Sequence, residues 1–161
     1  MRKGDVLDQF FLGPKSEQRL FLKELLELVV DDYIFWRRNY HPKDPPAMPH
    51  NSLHSEESEE YHGHFHQELF ELISDLKLDV PFFSPRYMAH MVSEVAMPGL
   101  VAYLATMLYN PNNVSLEASA VTVEFELEVG QHFARLFGYG PDAAFGHLCS
   151  GGTLANYESL W

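Results

Sequence analysis

Ser150-Gly151-Gly152-Thr153, near the end of the 161-residue sequence, has the residue types of an anion-binding turn. Two consecutive glycines let backbone N–H groups converge on one anion. Thr153 adds a hydroxyl donor, and a helix opening there points its positive dipole end at the same spot. Phosphate is the anion that suits such a turn. No Gly-Lys-Ser/Thr follows, so this is not a nucleotide P-loop, and the dinucleotide pattern Gly-x-Gly-x-x-Gly is missing. The competing reading is an ordinary glycine turn with a threonine helix cap. The sequence ends at Trp161, in the first turns of the expected helix, so the site is expected to be completed by residues outside these 161.

Three other groups have reactive side chains. Cys149 precedes the turn, and a helix N-terminus can lower a thiol pKa. His147 is close in sequence, but two residues along a strand do not guarantee contact, and a plain structural cysteine is the favoured reading. His62 and His66 share a helix face at i,i+4, a usable zinc pair with Glu59 as a further candidate. No third ligand is placed by the spacing, so a solvated acid-and-histidine face is favoured and no metal is assigned. His90 sits in the Met- and aromatic-rich segment from Arg86 to Val95, read either as a satisfied histidine or as a polar group in a pocket shaped for a ring.

The elements that must position these residues read as mostly helical. Residues 1–14 form an arm, broken by Gly13-Pro14. Ser16 is expected to cap a helix running to about Asn39. Leu22, Leu25, Leu26, Val29, Tyr33 and Trp36 make one stripe of it. Leu20, Phe21, Leu28, Val30, Ile34 and Phe35 fill its other faces, so burial on several sides is expected. A proline-rich loop spans 39–49. A second helix runs from near Ser55 to near Leu78, with acids at its positive end and a stripe of Tyr61, Phe65, Leu69, Leu72 and Leu76. Pro81 and Pro85 bracket an extended segment. A third helix starts at Pro98 and stops at Asn110-Pro111. Val121 to Val129 alternates like a strand, but Val123, Leu127, Gly130, Ala134 and Phe137 form a helical stripe. The glutamates favour helix, closed by Ser119 and Gly138. Ala144 to Leu148 reads as a short strand feeding the glycine turn.

Composition narrows the function. A hydrophobic fraction of 46% supports a real core and argues against disorder. A formal net charge of -12 repels a phosphate backbone, which disfavours nucleic acid as a partner. The N-terminus shows no signal peptide, and Leu100 to Tyr109 is far short of a membrane span. One cysteine suits a reducing compartment, so a cytoplasmic setting without membrane attachment is expected.

Taken as a set, several blocks resemble the pyridoxal-phosphate-dependent group II amino-acid decarboxylases. They are Trp36-Arg37-Arg38-Asn39-Tyr40, Arg86-Tyr87-Met88-Ala89-His90-Met91, Met97-Pro98-Gly99-Leu100, Tyr109-Asn110-Pro111-Asn112-Asn113, Glu126-Leu127-Glu128-Val129-Gly130 and Gly151-Gly152-Thr153-Leu154-Ala155-Asn156. The similarity spans nearly the whole chain, and the first block points to the tyrosine-decarboxylating branch. The resemblance implies an α/β architecture of the aspartate-aminotransferase type, of which these residues form a mostly helical N-terminal part. Residues 1–80 become a helical dimerisation arm and 81–161 the start of the cofactor-binding domain. It implies pyridoxal 5'-phosphate as cofactor, its phosphate held by Ser150, Gly151, Gly152 and Thr153. Tyr87, His90 and Met91 would line the substrate pocket. The implied reaction removes carbon dioxide from an aromatic amino acid, with the pyridinium ring taking up the electron pair. The implied partners are the amino-acid substrate and either a second copy in a homodimer or a lysine-bearing C-terminal portion.

Departures from the family pattern bear on activity. The Schiff-base lysine of the family follows a histidine, whereas none of Lys3, Lys15, Lys23, Lys43 and Lys77 does. No catalytic residue is therefore assigned here, and these residues alone are expected to be inactive. Ala118-Ser119-Ala120 replaces the triplet that relatives often show, and Cys149 stands where a small or polar residue is usual. Two alternatives remain: an interaction module, or a group II activity on glutamate, aspartate or a cysteine-derived acid.

Overall fold

The computed structural model describes residues 6–161. The first five residues of the expected arm lie outside this range; beyond them a short 3-10 turn forms at Leu7–Phe10. Helices account for the regular structure, and no strand occurs among the described residues. They are α1 (Arg19–Tyr40), α2 (His50–Leu53), α3 (Glu56–Leu76), α4 (Met97–Tyr109), α5 (Ala120–Leu136) and α6 (Gly152–Leu160). The α/β architecture of the implied fold is thus not displayed here; what is displayed is its helical content. One compact unit ends at Leu108 and a second runs Tyr109–Trp161.

In the first unit, α1 starts later than the sequence suggests. Ser16 adopts a left-handed φ of 59°, so it cannot serve as the cap, and the helix opens after Gln18 without a side-chain cap. In the expected stripe, Leu22, Leu25, Leu26, Val29 and Tyr33 are half-buried, as the spacing predicts, whereas Trp36 is exposed. The other faces are not covered: Leu20 is 70% exposed and Phe35 68%. Helix α3 begins as expected. Ser55 Oγ accepts from the Ser58 amide at 3.2 Å, and Glu56, Glu57 and Glu59 occupy the first turn. Its apolar stripe, Tyr61 to Leu76, is exposed.

The bracketed segment 81–85 is not extended but folded into consecutive turns. The Ser84 amide donates to the Pro81 carbonyl and the Tyr87 amide to the Ser84 carbonyl, each at 2.9 Å. Proline fixes φ near the value such turns require. Helix α4 begins with Met97 and Pro98 and stops at Asn110, whose φ of 47° ends the helical path just before Pro111.

In the second unit, Val121 to Val129 is helical. Gly138, at φ 80°, closes α5, with the Tyr139 amide donating to the Ala134 carbonyl at 2.8 Å. Ser119 occupies the N-cap position but does not cap the backbone; its hydroxyl meets Thr122 Oγ1 at 2.6 Å. Residues 144–148 run without regular structure and pair with no strand, which corrects the expected strand. Their placement comes from α5.

Candidate functional site

The second unit builds its site from one face of α5. Glu126, Val129, Gly130, Phe133, Ala134 and Phe137 recur at three- and four-residue spacing and line one groove with residues 144–148. The approach of the two segments is closest at a pair of glycines. A Cβ placed on Gly130 would lie 2.8 Å from the Gly146 carbonyl oxygen, and one on Gly146 would lie 3.2 Å from Gly130 Cα. Two backbones can meet this closely only because neither carries a side chain.

One turn earlier on α5, the Glu126 carboxylate reaches across the same crossing. Its Oε1 accepts the Leu148 amide at 2.8 Å, and its Oε2 accepts Asn113 Nδ2 at 3.1 Å. Asn113 Nδ2 also reaches the Thr122 carbonyl at 3.3 Å, and the Thr122 hydroxyl donates to Asn113 Oδ1. The Glu126 pKa lies below the ordinary carboxylate value, chiefly because the Leu148 N–H bonds the charged form, then through Asn113 and the nearby His147. Three stretches distant in sequence, the Asn112-Asn113 loop, α5 and the entry to the glycine turn, therefore share one carboxylate.

The turn itself follows. Gly151 is the N-cap of α6, with φ 157° and ψ 171°, a combination that glycine alone adopts without strain. The first intrahelical bond runs from the Ala155 amide to the Gly151 carbonyl at 3.0 Å. The amides of Gly152, Thr153 and Leu154 precede that bond and have no acceptor within the helix. Ser150 and Thr153 are exposed, and no side chain caps the helix start. Nothing lies within 4 Å of a Cβ built on Gly151 or Gly152, so the approach to these donors is open. No acid lies in the first turn of α6, and two acids of this unit already have partners: Glu126 as described, and Glu158, whose Oε2 lies 2.9 Å from His147 Nε2. A set of donors without a competing carboxylate fits the phosphate monoester of pyridoxal 5'-phosphate.

The other candidates fall as follows. Cys149 is half-buried, and its thiol donates to the Gly151 carbonyl at 3.5 Å; His147 turns to Glu158 instead. The geometry agrees with the structural reading of this cysteine. Tyr87 and His90 are brought together in the first unit, hydroxyl to Nδ1 2.5 Å, with their rings stacked at 6.2 Å. Met91 stands fully exposed beside them. On α3, His64 approaches Glu60 at 3.8 Å, and among the described residues no group of three His, Cys, Asp or Glu side chains is placed to hold a metal ion. Also among the described residues, no helix is long and apolar enough to cross a membrane. Sequence reasoning did not assign a role to Glu126, whose partners lie 13 and 22 residues away; its only signal was membership of the Glu126–Gly130 block.

No family model matches the chain. Individual relatives do. The chain is 42% identical over 157 residues to an L-tyrosine decarboxylase of Levilactobacillus brevis, covering 96% of the chain and 25% of that protein. It is 40% identical over 164 residues to an L-tyrosine decarboxylase of Enterococcus faecalis, covering 100% of the chain and 26% of that protein. An L-tyrosine decarboxylase of Enterococcus faecium is 39% identical over 153 residues, covering 94% of the chain and 25% of that protein. The chain thus spans about a quarter of the length of the curated relatives it matches. Over nearly its whole length the chain is homologous to the N-terminal quarter of L-tyrosine decarboxylases.

Proposed function

We propose that the protein to which these residues belong decarboxylates L-tyrosine, using pyridoxal 5'-phosphate, to give the corresponding amine and carbon dioxide. The observation that carries this reading is the 39–42% identity to three proteins named L-tyrosine decarboxylase. The donor set at Ser150, Gly151, Gly152 and Thr153 supports the cofactor. When bound, the cofactor supplies an electron sink for the pair released as the carboxylate leaves. The chain's own contribution is to grip the phosphate with the first-turn amides of α6 and the two hydroxyls. Tyr87, His90 and Met91 form one wall of the substrate pocket, the Tyr87–His90 hydrogen bond fixing the imidazole's direction. On this reading residues 1–80 are an assembly arm, residues 81–161 begin the cofactor-binding domain, and the setting is cytoplasmic.

The uncovered apolar faces of α1 support assembly with a second copy or with the rest of the protein. The test is direct. The full-length protein, supplied with cofactor, is expected to release carbon dioxide from L-tyrosine and much less from L-glutamate or L-aspartate. Equal or greater release from an acidic substrate overturns the substrate assignment. The 161 residues alone, whose five lysines all lack a preceding histidine, are expected to give no steady release.

A further inference from the structure

We propose that Glu126 is a positioning residue for the phosphate-binding turn. The inference rests on the cofactor reading above and adds to it the residue that sets the turn's geometry. Among the described residues, the segment 144–148 has no strand partner. What holds it is the Glu126 carboxylate on the Leu148 amide, two residues before Ser150. The carboxylate is in turn fixed by Asn113 Nδ2, and Asn113 by the Thr122 carbonyl and hydroxyl. Below this clamp, the Gly130–Gly146 contact sets how closely the segment lies on α5. Beyond it, the His147–Glu158 pair ties the same segment to α6. The turn is therefore fastened on both sides, and Glu126 is the fastening that links it to α5.

The placement also answers an electrostatic difficulty. A carboxylate near a phosphate site opposes anion binding, yet here both oxygens are occupied by N–H donors. The pKa of Glu126 is lowered by those donors, so the clamp stays charged at neutral pH.

The test uses the full-length apoprotein, titrated with pyridoxal 5'-phosphate and separately with pyridoxal, which lacks the phosphate. Glu126→Ala is expected to weaken pyridoxal 5'-phosphate binding about tenfold, as loss of a charge-assisted hydrogen bond implies, while pyridoxal binding stays within about twofold. Glu126→Gln keeps an oxygen for the Leu148 amide but presents an amide to Asn113, so about threefold weakening is expected. At saturating cofactor, kcat is expected to stay within about twofold of wild type, because Glu126 touches no reacting atom. Amide exchange at Leu148 reports the clamp independently and is expected to accelerate in Glu126→Ala. Should Glu126→Ala fail to fold, Glu126→Gln decides. Unchanged discrimination between the two ligands, or equal weakening of both, overturns the positioning role. A wild-type protein that binds neither ligand overturns the cofactor reading itself, which separates the two failures.

Discussion

At Gly130 a single added methyl group would collide with backbone. Its missing Cβ leaves room for the Gly146 carbonyl, and an alanine there would meet that oxygen at 2.8 Å. Backbone cannot rotate away as a flexible side chain can. Gly130→Ala is therefore expected to destabilise the protein by about 1–3 kcal/mol, the usual cost of forced overpacking, read as a lowered denaturant midpoint. Glu126 makes a second claim at this scale. Its carboxyl pKa is lowered in the folded state from an ordinary value of 4.5. The stability it contributes is thus present above that value and lost as pH falls through the lowered folded value. Acidification is expected to release the Leu148 amide in that window, seen as its loss of exchange protection, and Glu126→Gln is expected to remove this pH dependence. Sequence reading placed a helix start at the glycine pair, where one is found, because such turns announce themselves locally. It could not find the Glu126–Leu148 bond, because no local pattern connects a helix glutamate with an amide 22 residues on.

Among the elements, α5 was the most legible and its flanks the least. Alternation over Val121–Val129 fits either period, but the glutamates and the longer stripe to Phe137 favour helix, and helix is found. Gly138 stops it through a positive φ, which glycine signals in sequence. Ser119 illustrates the opposite case. A serine at the N-cap position normally bonds a helix amide, yet here its hydroxyl is turned to the Thr122 hydroxyl oxygen instead. Ser16 fails for a backbone reason, since its left-handed conformation points it out of cap geometry. Residues 144–148 have strand-like composition, but a strand needs a ladder partner, and partner choice is not a local property. Helix α1 gives the prediction at this scale. Replacing Leu20, Leu28 and Phe35, all exposed, with lysine is expected to leave helicity unchanged by circular dichroism. The same change is expected to lower the mass of the full-length assembly in light scattering, because it charges the faces proposed to meet another chain. An unchanged mass with the helix intact removes α1 from that interface.

For the whole molecule, homology and geometry speak to different questions. The relatives show what the chain aligns with, a quarter of the length of L-tyrosine decarboxylases, while the second unit, Tyr109–Trp161, displays a helix start whose approach is open at Gly151 and Gly152. Composition disfavours nucleic acid as a partner and offers no apolar run long enough for a membrane span, but it has no means of choosing among small anions. The sparse burial, with only Met97 and Ala134 buried among the described residues, leaves many apolar side chains uncovered. That is a physical reason to expect the remaining surfaces to be supplied by further chain or a second copy.

The glycine pair at the crossing of α5 has one more consequence. Where two bare backbones press together, there is no rotamer to adjust and no side chain to trim in compensation. Neither position can drift alone, since any first step meets a rigid wall. Variation across descendants of this chain should therefore pass around Gly130 and Gly146, accumulating instead at neighbours such as Phe133 and Phe145, whose rings can turn.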